Sequence, residues 1–573
     1  MKLAKFFSLV LGVIVLFASC EKKSLSLRDG TFIGKGRGRN GPVEVSITVK
    51  NGKIVDAEVI KDIESPNLAA LAKEEIIPQF LKEGSTAMID AVSGATITSN
   101  AILDAIDEAI AISQGIKKTP IIYKDSESDI VIIGAGGAGL TAATEAAGKG
   151  AKVLVLEKMG IVGGNSNYST GGINASYTKE QERLGIKDSK EVFFNDTMKG
   201  GHYLNDPELV RTLVDKSADI VEWLQSPLIG ADLSEVGMFG GATNKRIHRP
   251  KGGSPIGVHL VPRLVKAALA QGAEIRTNNK VIDILSENGR ASGVKVAYEG
   301  GEYTVKAKAI IIATGGFAAN PEMVQMYQAS LKDFATTNHK GATGDAFAMV
   351  EKFNAQLTQM ELIQTHPTVA KDTGFMITEA VRGNGAILVN KSGRRFINEM
   401  ETRDIVSAAI LKNQGKLAFL VFDQGIRESL KAIEGYARQR LLTQGATLTE
   451  LSQKLSIDAV ALDYTVEEYN KFVAQKKDSE FGRNPASMER PISKPPFYAI
   501  EVEPAVHHTM GGLKINTNAQ VLDKSGNPIP GLFAAGEVTG GVHGAQRLGG
   551  NAVADICIFG KIAADSAVES ISK

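Results

Sequence analysis

The sequence predicts an α/β fold whose main domain is Rossmann-like, on three observations. An apolar, strand-like segment at 129–133 runs into Gly-Ala-Gly-Gly-Ala-Gly at 134–139, and a helical segment then continues to position 148. A second apolar segment, 152–156, ends at Glu157. A strand, a glycine-rich turn, a helix and a second strand closed by an acidic residue are the parts of a dinucleotide-binding unit. At 573 residues, the chain is long enough for three or four domains of roughly 150 residues.

The first twenty residues are typical of a processing signal. Lys2 and Lys5 precede an apolar run, 6–17, that is too short to span a membrane stably. The run leads into Leu-Phe-Ala-Ser-Cys at 16–20, which resembles a bacterial lipobox. The resemblance implies cleavage before Cys20 and lipidation of its thiol, and the alternative is a plain secretory signal with an incidental cysteine. We therefore expect an exported bacterial lipoprotein, anchored to a membrane and facing the periplasm or the exterior.

The composition argues against several kinds of partner and cofactor. Lysine and arginine number 65 against 64 acidic residues, so no electrostatic argument supports a nucleic-acid partner. Cys557 is the one cysteine besides Cys20, which leaves no pair for a disulfide within the mature chain. The sequence has no Cys-x-x-Cys-His for a c-type haem and no Cys/His cluster for zinc, so we expect no metal.

Residues 24–115 are predicted to form a small α+β domain. Apolar and polar residues alternate over 43–49, as in a half-buried strand. Asn51 and Gly52 mark a tight turn, after which 54–60 returns as the partner strand.

A helix closes this small domain, and Ser99 or Asn100 is predicted to be its N-cap. The helix carries an apolar stripe that is expected to face the strands. The stripe consists of Ile102, Ala105, Ile106, Ala109 and Ile110. Segment 116–127 follows and is predicted to be a linker.

A second part of the nucleotide site lies near the end of the sequence. Segment 531–537 is predicted to be a strand that ends in a glycine and an acid, and segment 547–553 begins the last helix. In flavoproteins such a late segment closes over the ribityl chain and the isoalloxazine, and its helix dipole would favour an anionic reduced flavin. The helix after the first glycine turn would attract the pyrophosphate, and Glu157 would accept the adenosine ribose hydroxyls. These two parts predict FAD rather than NAD.

Four long motifs resemble those of a known family. They read HPTVAKDTGFMITEAVRGNGAILVN, RRFINEMETRD, HHTMGG and GEVTGGVHGAQRLGGNA. The motifs are similar to those in the flavoprotein subunits of fumarate reductases and succinate dehydrogenases, especially the soluble periplasmic fumarate reductases, over roughly 128–573. The resemblance implies a Rossmann-like FAD-binding domain in two parts, 128–360 and 505–573. An inserted α+β capping domain, 361–504, would close over the substrate and exclude water.

The resemblance also implies substrate-binding residues. His366 and Thr378 match the pair that binds one carboxylate of the substrate, while His507 and Arg547 match the pair that binds the other. Gly550 is expected to contact the substrate as well. Fumarate is a dianion, so cations and hydrogen-bond donors at both ends suit it.

Arg403 matches the arginine that delivers a proton in the family, and Glu379 and Arg382 match the relay that reprotonates it. Hydride from the flavin N5 to one alkene carbon, with a proton from Arg403 to the other, would give succinate. A guanidinium is a poor acid and is ordinarily not deprotonated in proteins. The assignment conflicts with that chemistry unless Glu379 resupplies the proton at once.

The family resemblance implies FAD contacts from both parts of the domain. The expected contacts are Gly134, Gly136, Ala138, Gly139, Glu157, Asn165, Ser166, Gly171, Gly172, Val281, Asp345, His508, Glu537, Ala552 and Val553. Asn165 stands where members of the membrane complexes carry the histidine that links FAD covalently. Asparagine cannot form that bond, so FAD is expected to be non-covalent, as in the soluble branch that favours fumarate reduction.

The stretch DAVSGAT, which ends at Thr96, resembles the FMN-binding motif in which a threonine hydroxyl carries FMN through a phosphodiester bond made by a separate flavin transferase. Gly94 and Ala95 leave room for the cofactor, and the helix that follows offers its positive end to the phosphate. An ordinary helix-capping turn is the alternative. With FMN at Thr96, electrons would enter there and pass to FAD, and the donor would be a membrane quinol dehydrogenase or a membrane flavoprotein.

Two other functions stay open from the sequence. An enzyme of the same framework could reduce urocanate or an acrylate-type acid, but it would need a changed pocket at one end, where His366 and Thr378 match the dicarboxylate pattern. A non-catalytic flavin electron carrier or a fumarate-binding lipoprotein would need no proton relay such as Arg403 with Glu379.

Overall fold

The computed structural model describes residues 26–64, 66–87, 89–92, 95–116 and 121–572. The predicted signal segment with Cys20, the turn residues Ser93 and Gly94, and positions 117–120 of the predicted linker lie outside these ranges. No helix in the described part is long and apolar enough to cross a membrane. The same residues contain no group of three or more His, Cys, Asp or Glu side chains that could hold a metal ion.

An antiparallel three-stranded sheet and two helices form the N-terminal domain. Its elements are β1 (Gly30–Arg37), β2 (Pro42–Lys50), β3 (Lys53–Lys61), α1 (Pro66–Glu83) and α2 (Thr96–Ser113). The sheet order is β1-β2-β3. The predicted alternation is confirmed in β2, where Val43, Val45, Ile47 and Val49 are buried and the intervening side chains are partly exposed. These residues pack with the apolar stripe of α2 in one core.

Helix α2 begins at Thr96, so the prediction of Ser99 or Asn100 as its N-cap is wrong. Ala95 is the N-cap residue. Ser99 lies inside the first turn, where its hydroxyl accepts a hydrogen bond from the Val92 N–H at 3.1 Å. The serine therefore fixes the preceding loop against the helix instead of beginning the helix.

The main domain alternates strands and helices from position 126 onward. Its first part contains β4 (Ser126–Ile133), α3 (Gly137–Gly148), β5 (Val153–Leu156), β6 (Ile173–Asn174), α4 (Lys179–Arg183), α5 (Lys190–Gly200), α6 (Pro207–Asp215), α7 (Ser217–Gln225), β7 (Glu235–Gly237), β8 (Ile247–Arg249), α8 (Ile256–Ala270), β9 (Glu274–Arg276), β10 (Lys280–Glu287), β11 (Arg290–Tyr298), β12 (Gly301–Ile312), α9 (Pro321–Tyr327), α10 (Asp345–Met349) and β13 (Leu357–Thr358).

The rest of the chain first forms a second layer of structure and then returns to the main domain. The second layer contains β14 (Ile363–Ala370), β15 (Phe375–Met376), α11 (Ala380–Gly383), β16 (Ile387–Val389), α12 (Arg403–Leu411), β17 (Ala418–Asp423), α13 (Gln424–Ser429), α14 (Ala432–Arg438), β18 (Thr443–Gly445), α15 (Leu448–Leu455), α16 (Ala459–Gln475) and β19 (Phe497–Thr509). The returning segment contains β20 (Gly512–Lys514), β21 (Gln520–Leu522), β22 (Pro528–Ala534), β23 (Thr539–Gly540) and α17 (Asn551–Ser572).

The main sheet has the order β10-β11-β12-β4-β5-β9. In addition, β22 pairs with β12, and β21 pairs with β22. The pairs β12–β4, β4–β5, β5–β9 and β12–β22 are parallel. Parallel strands bring their carboxyl ends to one edge of the sheet, which is where open α/β sheets bind ligands. The glycine turn after β4, Glu157 after β5 and Glu537 after β22 therefore meet at that edge. This arrangement confirms the predicted α/β fold.

The second layer corresponds to the predicted capping domain and is called the capping layer below. It is a separate antiparallel sheet with its own core. Its order is β15-β14-β19-β17-β16, with β18 also paired to β19. The core residues of this layer lie between Ala370 and Val502. Strands β14 and β19 reach toward the main domain, and their register sets His366 opposite Ala505 and Gln364 opposite His508. The pairing thus brings the histidines of two distant motifs to one place.

Candidate functional site

A cleft of about 890 Å³ opens at the carboxyl edge of the main sheet. Gly134 begins the turn with φ of +103°, and a β-carbon there would lie 2.5 Å from the Ala313 carbonyl oxygen. A β-carbon at Gly139 would lie 2.0 Å from the Gly134 carbonyl oxygen. Glycine is therefore required at both positions for α3 to start directly against the strand. The first residues of α3 line the cleft, which suits a pyrophosphate.

Glu157 is buried in the wall of this cleft, at the end of β5. Its carboxylate accepts hydrogen bonds from the N–H groups of Ala135 at 2.9 Å and Met159 at 2.8 Å. Burial raises the pKa of this carboxyl group, against the lowering effect of the two hydrogen bonds. Glu157 is thus fixed beside the glycine turn, where the sequence predicts a ribose contact.

Most of the predicted FAD contacts line the cleft. These are Gly134, Gly136, Ala138, Glu157, Asn165, Ser166, Val281, Asp345 and Glu537. The predicted contacts that do not are Gly139, Gly171, Gly172, His508, Ala552 and Val553. A β-carbon would lie 2.8 Å from the ring of Phe239 at Gly171, and 2.2 Å from the His248 carbonyl oxygen at Gly172. These two glycines therefore allow the close packing of β6 on β8.

Glu537 joins the end of β22 to β19. One carboxylate oxygen accepts the Thr509 N–H at 3.1 Å, and the other accepts the Asn165 amide at 3.4 Å and lies 3.5 Å from Nδ1 of His508. Burial raises the pKa of Glu537. The Nε2 atom of His508 is buried and has no hydrogen-bond partner among the described residues. His508 is thus in contact with the cleft wall and keeps one ring nitrogen for a ligand.

Two lysines that the sequence reasoning missed pair with Asp345 on the same cleft. The Nζ atoms of Lys158 and Lys280 lie 3.0 Å and 3.2 Å from one carboxylate oxygen of Asp345. Burial opposes ionisation, but Thr343 and the lysines outweigh it and lower the pKa of Asp345. Both lysines line the cleft and add positive charge where an anionic cofactor would bind. No motif marks them, because their approach depends on the fold.

A second pocket, with a volume of about 430 Å³, lies between the capping layer and the main domain. Glu379 precedes α11, Arg382 lies in α11, Arg403 begins α12 and Arg547 precedes α17. All four line this pocket. The structure therefore brings together the residues that the sequence assigns to proton transfer and one residue assigned to substrate binding.

Glu379 links two of the arginines in this pocket. The Nε atom of Arg403 donates a hydrogen bond to Oε1 of Glu379 at 2.5 Å, and Nη2 of Arg382 lies 3.7 Å from the same oxygen. Burial would raise the pKa of Glu379, but the two guanidinium groups outweigh it, and the pKa lies below its ordinary value. The carboxylate is therefore ionised; it is hydrogen-bonded to Arg403 and is paired with Arg382 at a distance too long for a hydrogen bond.

Gln364 links Arg403 to Arg547 and was not predicted to be a site residue. Its Oε1 atom accepts hydrogen bonds from Arg403 at 3.0 Å and from Arg547 at 3.2 Å. Its amide nitrogen donates to the Arg547 carbonyl oxygen at 2.9 Å and to Gln546 at 2.8 Å. A buried glutamine so fully bonded fixes the separation of the two guanidinium groups. A single glutamine two residues before His366 gives no signal in the sequence.

His366 and His507 lie next to each other, with ring centroids 5.2 Å apart. Burial, followed by the nearby arginines, holds the pKa of both imidazoles well below the ordinary value, so both are neutral. Nδ1 of His366 accepts the Thr368 N–H at 3.3 Å, which places the ring proton on Nε2. Nδ1 of His507 is hydrogen-bonded to the Thr337 hydroxyl at 2.8 Å. Both rings are therefore neutral rather than cationic, and His366 offers a hydrogen-bond donor at Nε2.

Thr378 and Gly550 contact other parts of the protein rather than the second pocket. Thr378 is buried, its N–H donates to the Tyr436 hydroxyl at 3.1 Å, and its own hydroxyl accepts the Ala380 N–H at 3.4 Å. Gly550 has φ of +91°, and a β-carbon there would lie 2.5 Å from the side chain of Asn174. Thr378 and Gly550, like His366 and His507, are not among the residues that line the second pocket, so Arg547 is the predicted substrate-binding residue that does. Their predicted contacts with a substrate stay predictions.

The second pocket carries more buried positive than negative charge. Arg382, Arg403 and Arg547 surround the single carboxylate of Glu379, while Glu401 lies at the exposed rim. Burial, reinforced by the charge of Arg403, lowers the pKa of Arg547 to about 9. The Nε atoms of Arg382 and Arg547 have no hydrogen-bond partners among the described residues. Such a pocket can bind a small anion carrying more than one charge.

Two family models match the chain. The model described as an FAD binding domain matches residues 129–553, and the model described as an FMN-binding domain matches residues 38–111. The first range contains the second pocket and most of the cleft. The second range contains most of the N-terminal sheet and most of α2.

Several known proteins are similar over most of this chain. The fumarate reductase (cytochrome) of Shewanella frigidimarina is 47% identical over 448 residues, which are 78% of each chain. The NADH:fumarate oxidoreductase of Klebsiella pneumoniae is 40% identical over 98% of this chain and 60% of its own length. The urocanate reductase of Eggerthella lenta is 34% identical over 94% of this chain and 92% of its own. Among solved structures, the open conformation of a flavocytochrome c3 fumarate reductase is 43% identical and matches 78% of this chain and 79% of that chain, with a TM-score of 0.68.

Proposed function

The chain belongs to the flavoprotein family of the fumarate reductases, and from that membership we propose that it is an exported, lipid-anchored enzyme that reduces fumarate to succinate with FAD and a covalently bound FMN. The enzyme class and the two flavin-binding domains rest on the similarity to fumarate reductases. The residue roles, the entry of electrons and the location are inferred from the site and from the sequence.

The choice of fumarate as the substrate rests on the excess of positive charge in the second pocket. Three buried or nearly buried guanidinium groups contact or approach one carboxylate, and burying unmatched charge is costly. A dicarboxylate would supply the two negative charges that Glu379 does not. Charge-assisted hydrogen bonds from arginine to carboxylate are short, strong and geometrically specific. Fumarate, a flat dianion with a carboxylate at each end, fits that requirement.

The two ends of fumarate would be held by different sets of residues. Arg547 and His507 would bind one carboxylate, with Arg547 supplying the charge and His507, in the tautomer protonated at Nε2, a neutral donor. His366, whose ring proton is on Nε2, would donate to the other carboxylate together with the hydroxyl of Thr378. Polarising a carboxylate in this way withdraws electrons from the alkene and prepares it for hydride.

Arg403 would deliver the proton to the second alkene carbon. Its Nε atom is 2.5 Å from Glu379, so a proton lost by the guanidinium can be replaced as it leaves. Arg382 approaches the same carboxylate from the buried side and would complete the relay. This coupling is what allows a residue of such high ordinary pKa to act as an acid.

The cleft at the edge of the main sheet fits FAD. The fit rests on the glycine turn, whose close contacts allow only glycine at two positions, on the buried Glu157 and on the unpartnered Nε2 of His508. FAD held there would supply the hydride that fumarate accepts. With Asn165 in the cleft wall, the cofactor would be bound without a covalent link.

FMN would be attached to Thr96 by a separate flavin transferase. Thr96 is exposed and is the first residue of α2, whose N-cap makes no side-chain hydrogen bond and whose first turn carries no acidic residue. The first N–H groups of the helix are therefore suited to a phosphate. Electrons would pass from this FMN to FAD, and a membrane quinol dehydrogenase or membrane flavoprotein would supply them. Lipidation of Cys20 would keep the enzyme near such a donor.

A reductase of urocanate or of an acrylate-type acid is the second candidate, and the 34% identity to a urocanate reductase over nearly its whole length favours keeping it. Both alternatives carry one carboxylate, so one end of the pocket would have to bind an uncharged group. The pairing of three arginines with two neutral histidines favours the dicarboxylate.

The test is a comparison of unsaturated acids as electron acceptors. Protein produced with a flavin transferase is reduced by a viologen, and fumarate, urocanate, acrylate and methacrylate are offered at equal concentration. We expect fumarate to give the highest kcat/KM. Faster turnover of urocanate or an acrylate would replace the proposed substrate, and no turnover of any acid would favour an electron carrier.

The covalent FMN has its own test. We expect Thr96→Ala to lose the flavin from the intact mass while FAD remains extractable by denaturation. Flavin still attached to this variant would contradict the assignment. Asn100→Ala, at an exposed position near the start of the same helix, is the control and should keep the covalent flavin.

A further inference from the structure

One loop of the N-terminal domain, residues 38–41, lies directly on the outer wall of the FAD cleft. The carbonyl oxygen of Arg39 is hydrogen-bonded to Nε2 of His339 at 2.8 Å. The Tyr168 hydroxyl donates to the Asn40 side chain at 3.4 Å, and the Arg39 guanidinium lies 4.8 Å from the centroid of the Tyr168 ring. The Arg39 backbone and the side chains of Arg39 and Asn40 are therefore in contact with the main domain.

On the main-domain side, the loop contacts His339, which lines the cleft, and Tyr168, which lies beside His339. His339 lines the cleft, and its N–H donates to the Asn165 side chain at 2.7 Å. The rings of His339 and Tyr168 are 6.0 Å apart. Asn165 in turn donates to Glu537 at 3.4 Å. A single layer of side chains, His339 with Tyr168, thus separates the loop from the cofactor cleft.

On the other side, the same loop is tied to the start of α2. The carboxylate of Glu64 accepts the Asn40 N–H at 2.6 Å with one oxygen and the Thr98 hydroxyl at 2.6 Å with the other. Glu64, Asn40 and Thr98 are all buried. Thr98 lies two residues after Thr96, so Glu64 connects the turn that begins at Thr96 to the loop that touches the cleft wall.

The loop conformation is also fixed by sterics. A β-carbon at Gly38 would lie 2.6 Å from the Gly41 carbonyl oxygen and 2.9 Å from Oε1 of Glu64. The other contacts between the N-terminal domain and the rest of the chain are weaker or more exposed. They include Arg37 with Thr277 at 3.5 Å and the exposed ion pair of Glu74 with Arg440.

From this geometry we propose that loop 38–41, Tyr168 and His339 form the junction across which electrons pass from the FMN on Thr96 to the FAD, and that Glu64 is the positioning residue that sets the distance between the two flavins. The inference rests on the proposed function. For each fumarate reduced, the FMN is oxidised by two electrons and the FAD is reduced by two. The two protons released by the FMN return to solvent. One proton from solvent is taken up at the FAD N5 and leaves with the electron pair as hydride, and a second reaches the other alkene carbon through Arg403. Because electron transfer slows steeply with distance, the residues that hold the domains together control its rate.

The two rings of the junction, those of Tyr168 and His339, stay uncharged through the neutral range. Burial raises the pKa of Tyr168 to about 12, and burial lowers the pKa of His339 below its ordinary value. Neither ring changes its charge near neutral pH, so the contact stays the same while the flavins exchange protons with solvent.

The test separates transfer between the flavins from the chemistry at fumarate. Anaerobic enzyme with both flavins reduced is mixed with excess fumarate, and reoxidation is followed by absorbance. We expect a fast phase for FAD and a second phase for FMN, whose electrons must cross the junction. Arg39→Ala and Glu64→Gln should slow the second phase at least tenfold and leave the first unchanged. Glu74→Gln, which breaks the exposed contact with Arg440, is the control and should change neither.

Hydrogen–deuterium exchange on the holoenzyme without substrate gives a readout that does not depend on activity. Exchange in 38–41 and 336–341 should rise in Glu64→Gln and stay at the wild-type level in Glu74→Gln. An unchanged second phase in Glu64→Gln, with exchange showing that the loop has been released, would overturn the junction. Wild-type enzyme in which fumarate oxidises neither flavin would contradict the proposed function instead, while the exchange comparison would still test the contact.

Discussion

Two clusters of buried arginines adjoin each other, one inside the capping layer and one between that layer and the main domain, and they differ in how their charge is matched. In the first cluster, Arg395 bonds Glu399 through two hydrogen bonds of 2.8 and 2.9 Å and bonds Asp478 at 2.8 Å. Arg483 bonds the same Glu399 at 3.2 Å. Two cations thus meet two anions, all with side chains at most 1% exposed.

In the second cluster, which lines the proposed substrate pocket, Glu379 is the one acidic partner that the described residues place at ion-pair distance from Arg382 and Arg403. More distant carboxylates, including Glu399 and Glu537, act on Arg382 and Arg547. The consequences for the pKa values are opposite. In the matched cluster, burial lowers the pKa of Arg395 but its two acidic partners outweigh that effect and raise it. In the pocket, burial and the charge of Arg403 lower the pKa of Arg547 to about 9.

Arg382 connects the two clusters, since it donates to the Glu399 carbonyl oxygen at 2.5 Å while its carbonyl accepts a hydrogen bond from Arg483. The matched cluster therefore serves as a rigid support behind the unmatched one. Buried charge that is fully paired inside the protein holds the fold, and buried charge left in surplus is available to a ligand. Each of the following experiments tests that distinction.

The largest effect is expected for Arg403→Ala in the unmatched cluster. A hydride transferred without a proton leaves a carbanion beside a carboxylate, and general acid catalysis is worth about 10²–10⁴ in rate. We expect stopped-flow reoxidation of reduced FAD by fumarate to slow by at least that factor. FAD content should be unchanged.

Arg403→Lys keeps the charge but moves the donor away from Glu379, so it should recover only a small part of the rate. Glu379→Gln should also be slow while fumarate affinity stays close to the wild-type value, because it interrupts the relay and leaves Arg547 in place. Reoxidation at the wild-type rate in Arg403→Ala would refute the proton path.

The next effect is expected in the matched cluster. Glu399→Ala leaves Arg395 and Arg483 buried with one acidic partner, and removing one member of a buried pair costs about 3–5 kcal/mol. The free energy of unfolding from urea titration should fall by that amount. Glu434→Ala, which removes the exposed partner of Arg427, is the control and should cost less than about 1 kcal/mol. Equal losses would show that the matched cluster does not support the fold.

Much of this fold was predictable because its signals are local. The alternation in β2, the glycine turn after β4 and the acid after β5 each follow from a few consecutive residues. The strand β1 was not predicted, since it contains Gly34 and Gly36, which are typical of turns. Both lie against α2, and a β-carbon would be 2.0 Å from the Ala105 carbonyl oxygen at Gly34. That requirement comes from packing between distant segments, which periodicity does not contain.

The candidate site residues also fall into two groups, those marked by local sequence motifs and those that only the fold brings into place. Arg403, Glu379 and Arg547 were found because they lie in long motifs that resemble a known family. Gln364 and His339 were not, because each is a single polar residue whose importance arises only when the fold places it between two other parts of the site. The excess of positive charge is likewise visible only after the burial of each arginine and its partners are known.

The two clusters should also respond differently to pH. Arg547 has a folded-state pKa of about 9, so it loses its proton as pH rises through that value and then attracts a carboxylate less. We expect kcat/KM for fumarate to fall about tenfold per unit above pH 9, since it reports the free enzyme. Bound fumarate restores the proton, so kcat should fall only at higher pH. A flat kcat/KM up to pH 10 would contradict this assignment.

Stability should rise with pH for both clusters, but in different pH windows: an alkaline one for Arg547 and an acidic one for Asp478. Between about pH 9 and the ordinary arginine value, the unfolded chain binds more protons at Arg547 than the folded protein, so this group adds stability as pH rises. Asp478 has a pKa lowered by Arg395 against the effect of burial, so its contribution is present above the unfolded value and is lost as pH falls through the folded one. Urea titrations at acidic, neutral and alkaline pH would separate the two.

The smallest effect, and the sharpest test of the contrast, is expected for Arg547→Met without substrate. The substitution removes a buried cation that lies near Arg403 and whose Nε has no partner among the described residues, while a methionine fills much of the same volume. Relieving a functional site of its unmatched charge commonly stabilises a protein by about 0.5–2 kcal/mol. We therefore expect the free energy of unfolding to rise by that amount while fumarate turnover is lost. Arg395→Met, at the equivalent place in the matched cluster, should do the reverse and destabilise the protein, because it leaves Glu399 and Asp478 buried with Arg483 alone. If both substitutions destabilise the protein equally, the charge in the pocket is matched within the fold, and the surplus that selects a dicarboxylate does not exist.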